Sequence, residues 1–136
     1  MNETETPSEL RSRIMRAVKG SDTGPEMLVR RLAFGMGYRY RLHRKDLPGK
    51  PDLVFVARRK VVFVHGCFWH GHDCARGART PKQNVEYWTN KIARNKERDA
   101  AHLIALKALG WHSLIIWECE LKEPEKVQRR LSQFLH

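Results

Sequence analysis

Residues 64–74 read Val-His-Gly-Cys-Phe-Trp-His-Gly-His-Asp-Cys, which puts three histidines, two cysteines and an adjacent aromatic pair into eleven residues. A packed core gains nothing from so many imidazoles and thiols side by side. Thiolate and imidazole together suit a zinc ion. The remaining cysteine, Cys119, lies just past a strand-like run. Cys67, Cys74 and Cys119 with one histidine would make a closed Cys₃His tetrahedron, the structural kind of zinc site. His70 and His72 compete for the fourth place, and the histidine left out is free for other work.

A second chemistry is suggested by Pro51-Asp52 and His65. If Arg58-Arg59 is a symmetric hairpin loop, Ala57 pairs with Lys60, and counting back sets Asp52 opposite His65. Directly opposed residues share a face with Cβ atoms about 5 Å apart. A carboxylate that binds Mg²⁺ beside an imidazole is what phosphodiester hydrolysis needs. Glu26, near the start of a helix, adds a further acid or simply serves the helix dipole.

The elements that must carry these residues follow from periodicity. Residues 1–7 are polar and expected to be disordered. Ser8 caps a helix over 8–19 with Leu10, Ile14 and Val18 on its apolar face and Arg11, Arg13, Arg16 and Lys19 around it. Pro25 opens a second helix that runs to Gly37, with Leu28, Leu32 and Gly35 at helical spacing. Residues 38–43 suggest an edge strand and 47–51 a turn. Residues 53–57 and 60–64 read as a hairpin. A long basic helix spans 84–109 and is closed by Gly110. Residues 111–117 form a buried strand. Pro124 starts a last helix with Val127, Leu131 and Phe134 inward. The order is that of an α/β protein with a small mixed sheet flanked by helices.

With 136 residues, 41% of them hydrophobic, the chain has the size of one domain with its own core. Lys and Arg number 26 against 15 Asp and Glu, a formal net charge of +11. Such an excess repels itself unless a polyanion neutralises it, so a nucleic acid partner is expected. No apolar stretch of 18 residues and no signal-peptide core is present, which predicts a soluble cytoplasmic protein without membrane contact. Three cysteines, an odd number, argue against a disulfide framework. Lys91, Arg94, Lys96 and Arg98 on the long helix, with Arg16 and its neighbours on the first, are candidate phosphate contacts. Phe68 and Trp69, joined by Trp88 and Met15, are candidate apolar wedges for a base step.

Several segments together resemble a known family. These are Pro-Gly-Lys-Pro-Asp at 48–52, the block at 65–74, Asn-Lys-Glu-Arg-Asp at 95–99, Leu-Gly-Trp at 109–111 and Trp-Glu-Cys at 117–119. They are similar to the very-short-patch repair (Vsr-type) DNA mismatch endonucleases, and the likeness runs from about Arg11 to the C-terminus. It implies a single nuclease domain of restriction-endonuclease-like fold with a structural zinc. It also implies Mg²⁺-dependent nicking of one strand at a thymine mispaired with guanine, the lesion left when 5-methylcytosine deaminates.

Carried over by position, Asp52 would hold Mg²⁺, helped by the Val64 backbone carbonyl. His65 and His70 would assist hydrolysis, and Glu26 would be a further active-site acid. Zinc would take Cys67, His72, Cys74 and Cys119. Phe68 and Trp69 would insert beside the mispair, with Met15 and Trp88 near. The implied partner is double-stranded DNA with a T:G mismatch, bound by a monomer that could also meet mismatch-repair proteins. One departure stands out: Val62-Phe63-Val64-His65 lacks the second acid and lysine that relatives of the restriction nucleases carry there. The rival readings are a same-fold nuclease for restriction sites or branched DNA, a non-catalytic zinc-braced DNA-binding module, and a zinc protein that contacts RNA.

Overall fold

Val61 and Phe63 point to one side of their strand and Val62 and Val64 to the other, and both sides are covered. A strand of β-branched and aromatic residues with two apolar faces must sit inside a sheet with helices on both surfaces. The computed structural model describes residues 23–74 and 83–136. In chain order these form α1 (Gly24–Gly35), β1 (Arg41–Leu42), β2 (Leu53–Phe55), β3 (Lys60–His65), α2 (Val85–Ala108), β4 (His112–Trp117) and α3 (Pro124–Leu135). The expectations for residues 1–7 and for a helix over 8–19, with Met15 and Arg16 on it, fall outside the described residues.

The sheet order is β1-β2-β3-β4. The first two pairings are antiparallel and β3–β4 is parallel. A parallel neighbour requires a crossover, and α2 supplies it. One face packs Leu53, Phe55, Val62 and Ile116 against Val29 and Ala33 of α1 and Val127, Leu131 and Leu135 of α3. The other packs Val54, Val61 and Phe63 against Leu106 and Trp111 at the end of α2. This is the expected mixed sheet flanked by helices.

Local chemistry sets the boundaries. Thr23 caps α1, its hydroxyl accepting the Glu26 N–H at 3.4 Å. At the end of α2, Gly110 takes φ 86. The Trp111 N–H donates to the Leu106 carbonyl at 2.9 Å and the Gly110 N–H to that of Lys107 at 3.0 Å. This double reversal needs a left-handed residue, hence glycine. The buried stripe of α1 is Val29 and Ala33, with Leu28 and Leu32 only half-buried and Gly35 exposed.

Two expectations need correction. The strand expected over 38–43 shrinks to Arg41–Leu42, and His43 just beyond it takes φ 49. The hairpin is also shifted. Phe55, not Ala57, pairs with Lys60, a 3₁₀ turn occupies Val56–Arg58, and Arg59 takes φ 52. A two-residue hairpin loop favours Gly or Asn, since it needs at least one residue at positive φ. Arg-Arg resists that, and the longer loop confines positive φ to Arg59. The register therefore moves by two, setting Asp52 level with Phe63 rather than His65. An even shift keeps the side-chain alternation, so Asp52, Phe63 and His65 still line one cleft.

Candidate active site

The cleft lies where β2 begins and β3 and β4 end, and has a volume of about 1070 Å³. Three clusters of ligand-type side chains surround or adjoin it, each with donor atoms within 4.8 Å of one another.

Glu26, His43 and Asp52 form the first cluster. Asp52 sits at the entry to β2, and its Oδ2 accepts the Val64 N–H at 2.7 Å. Burial, with the neighbouring Glu26 carboxyl adding to it, pushes Asp52 up to about 7, against the pull of the Val64 N–H. Glu26 reaches the cluster from the first turn of α1, where it pairs with Arg30. His43 Nε2 stands 3.1 Å from Glu26 Oε2. Two carboxylates and an imidazole this close suit a divalent cation.

His65, His70 and Asp99 form the second. The two imidazoles stack with centroids 3.7 Å apart and planes 5° from parallel. His70 Nδ1 lies 2.5 Å from Asp99 Oδ2. A carboxylate only accepts, so Nδ1 carries the proton and Nε2 is the basic nitrogen. Although burial works against its charge, the bond from His70 and the nearby cations hold Asp99 below the usual carboxylate range. Burial and the neighbouring His70 push His65 down to about 4. His65 is therefore neutral near pH 7, and its buried Nδ1 has no hydrogen-bond partner among the described residues.

Cys67, His72, Cys74 and Cys119 form the third. The Cys119 N–H donates to Cys67 Sγ at 3.4 Å, and Cys119 Sγ lies 3.6 Å from His72 Nδ1. No disulfide joins the cysteines. Three sulfurs and one nitrogen at these separations fit a tetrahedral soft-metal site. Metal-free, burial pushes the Cys67 thiol up to about 12. A bound cation would instead take it as thiolate. His72, not His70, joins the sulfurs, because His70 is turned to Asp99.

The loop between these clusters carries the aromatics. Phe68, Trp69 and Trp88 form a triangle of rings with centroids 5.2, 5.7 and 5.4 Å apart. Asn95 Nδ2 donates to the Trp69 carbonyl at 2.9 Å. Gly71 holds φ 64 where a Cβ would meet Ile92 and Lys96 at 2.8 Å, so the loop lies flat on α2. Lys91 Nζ stands 5.8 Å from the Trp69 ring centroid and 5.6 Å from that of Trp88. Lys91, Asn95, Arg98 and His102 all line the cleft, one stripe of α2 at helical spacing. Arg94 is exposed and lies off that stripe.

Of the sequence candidates, Glu26, Asp52, Val64, His65, Phe68, Trp69, His70 and Lys91 line one cleft, and Trp88 packs on its aromatic edge. Sequence reasoning gave no role to His43 or Asp99. Asp99 closes the Asn-Lys-Glu-Arg-Asp segment, whose likeness to the family was its one signal. His43 had none.

A family profile described as DNA mismatch endonuclease Vsr matches residues 4–76. The chain is 49% identical over 127 residues to the type II nicking enzyme V.XorIIP of Xanthomonas oryzae pv. oryzae, covering 93% of each. The chain belongs to the Vsr family of DNA mismatch endonucleases. Within this family it is also 43% identical over 117 residues to the DNA mismatch endonuclease Vsr of Escherichia coli, covering 86% of this chain and 74% of that protein. Membership makes it a DNA endonuclease. The catalytic domain of the homing endonuclease I-Bth0305I shares the fold, with a TM-score of 0.57 at 20% identity over 83% of this chain and 94% of that one. The restriction-endonuclease-like class expected from the sequence therefore stands. Among the described residues no helix is long and apolar enough to cross a membrane.

Proposed function

We propose that this Vsr-family chain nicks one DNA strand at T:G mispairs by Mg²⁺-dependent hydrolysis, braced by a structural zinc. The observation that carries this reading is one cleft that holds a carboxylate pair, a His–Asp pair and the Phe68–Trp69 edge of an aromatic triangle. Asp52 would hold Mg²⁺ with the Val64 carbonyl, and the closeness of Glu26 to Asp52 supports a dication there. When bound, Mg²⁺ supplies positive charge to the phosphate in the transition state.

The chain's own groups do the rest. His70, its Nδ1 proton committed to Asp99, presents Nε2 to take a proton from the attacking water. Asp99 then stabilises the imidazolium, as the carboxylate of a His–Asp pair does. As the new P–O bond forms, the bond to the leaving sugar oxygen breaks and that oxygen takes up a proton from solvent water, while the His70 imidazolium returns its own to solvent. Neutral His65 lies against the face of His70 and keeps its plane fixed.

Zinc at Cys67, His72, Cys74 and Cys119 would tie the loop to the end of β4, and so place Phe68 and Trp69. These rings, with Trp88, would enter the stack beside the mispair. A wobble pair costs less to unstack than a matched one, which is a source of selectivity. Lys91 on the cleft, Arg94 off it and Arg16 of the N-terminal segment would meet phosphates. The protein would act as a monomer in the bacterial cytoplasm, at the nucleoid.

The test is a panel of end-labelled duplexes: T:G-mismatched, fully paired and branched, with and without Mg²⁺. One nick on the thymine strand of the mismatched duplex supports the proposal. Cutting of paired sites on both strands, or of branches alone, would replace it with a same-fold nuclease of another target. Equal binding with and without Mg²⁺ and no cleavage would make it a binding module.

A further inference from the structure

β1 ends at Leu42, yet the ladder runs one residue further. The His43 N–H donates to the Asp52 carbonyl at 3.3 Å, so the two residues lie directly across from one another. His43 does this in a left-handed conformation, φ 49, which is uncommon for any residue but glycine. Strain of this kind persists where the surroundings fix it, often at functional sites.

The ring is held from one side. Nε2 is 3.1 Å from both Glu26 Oε2 and Arg30 Nη2. Arg30 Nη2 gives one of its two protons to the same Glu26 oxygen. A carboxylate only accepts, and a charge-assisted bond from His43 to Glu26 Oε2 at 3.1 Å favours the ring proton on Nε2. The Nδ1 lone pair is left facing Asp52 Oδ1 across 3.9 Å. That is too far for a hydrogen bond, and two facing lone pairs are drawn together by a cation between them. Two ligands at about 2.0–2.2 Å from one ion stand roughly 3–4 Å apart. The gap has that span.

We infer that His43 ligates the Asp52-bound cation through Nδ1, with Glu26 receiving the Nε2 proton and fixing the tautomer. This rests on reading Asp52 as the anchor of a dication. It gives the site the carboxylate–histidine–metal arrangement seen when an outer carboxylate orients a ligating imidazole. The imidazole replaces none of the oxygen donors but shifts preference from Mg²⁺ toward ions that accept nitrogen, such as Co²⁺ and Mn²⁺.

The test uses the full zinc-loaded chain with Mn²⁺ as probe, read by pulsed EPR for directly bound ¹⁴N and by titration for affinity. Wild type is expected to show the nitrogen coupling. His43→Gln is expected to lose it, with Mn²⁺ affinity down roughly tenfold or more. Glu26→Gln should keep it, with affinity weakened by about 10–100-fold. No nitrogen coupling in wild type, or coupling unchanged in His43→Gln, would overturn the inference. Wild-type Mn²⁺ binding by Asp52→Ala would instead sink the reading on which it rests.

If His43→Gln fails to fold, assigned histidine ring signals of the wild type decide. Substoichiometric Mn²⁺ should broaden His43 first. Broadening of His65 and His70 with His43 spared would overturn the inference.

Discussion

His65 and His70 stack face to face, centroids 3.7 Å apart, although one ends β3 and the other lies in the loop beyond it. The stack separates two imidazoles that composition alone makes equivalent. Burial, reinforced by the neighbouring His70, keeps His65 neutral, while His70 is tied to Asp99. The Asp99 carboxylate thus fixes which nitrogen is basic. Asp99→Asn should lower single-turnover nicking by about 10²–10⁴-fold, with affinity for mismatched duplex unchanged. Equal loss of binding and cleavage would assign Asp99 to folding or docking instead.

Burial, with Glu26 beside it, pushes the Asp52 carboxyl from its ordinary 3.8 up to about 7. A carboxyl whose folded value is raised contributes fully below its unfolded value, and that contribution is lost as pH rises through the folded value. Metal-free wild type should therefore lose stability relative to Asp52→Asn between pH 4 and about 7. The gap should reach about 1–4 kcal/mol above that window. Asparagine can still accept the Val64 N–H. Thermal melts in Mg²⁺-free buffer, without a chelator able to strip the cysteine cluster, read the gap. A gap that stays flat with pH would contradict the assignment.

Cys119 follows β4 and meets Cys67 and His72 from across the sheet end. Cys119→Ser should drop the bound zinc and cost several kcal/mol, since the binding free energy of a closed metal site is folding free energy. Metal content and melting read together check this. Full zinc retention would mean that the site closes without Cys119.

Trp69 is held at its carbonyl by Asn95 and packs on Phe68 and Trp88. Trp69→Ala should weaken mismatch binding by about 1–3 kcal/mol, roughly fivefold to 150-fold. Its affinity for paired DNA and the salt slope of that binding should not change. A uniform loss across all duplexes would make the ring part of the scaffold.

The three cysteines of the soft-metal cluster were legible because thiols are scarce and have few other uses, whereas the choice of His72 over His70 came only with the family resemblance. Glu26 was less legible, since an acid in a first helical turn has a ready electrostatic use, and only the family resemblance gave it another. The sheet and its flanking helices followed from alternating and helical periodicities. The Asp52–His65 relation failed by two residues because it hung on one loop, and Arg58-Arg59 does not state its own conformation. His43 was invisible: a lone histidine after a strand carries no pattern, and its backbone sits in a conformation its side chain does not favour. Asp99 joined His70 only through the packing of the loop on α2, a contact across 29 residues.

Asp52-dependent nicking at a mispair is open to a single experiment. The most direct measurement is single-turnover cleavage of an end-labelled T:G duplex with Mg²⁺, beside its T:A control, for wild type and for folded, zinc-loaded Asp52→Ala. One nick on the thymine strand of the mismatched duplex is expected from wild type and none from Asp52→Ala. Nicking by Asp52→Ala at the wild-type rate, or equal nicking of T:A and T:G duplexes by wild type, would contradict Asp52-dependent nicking at a mispair.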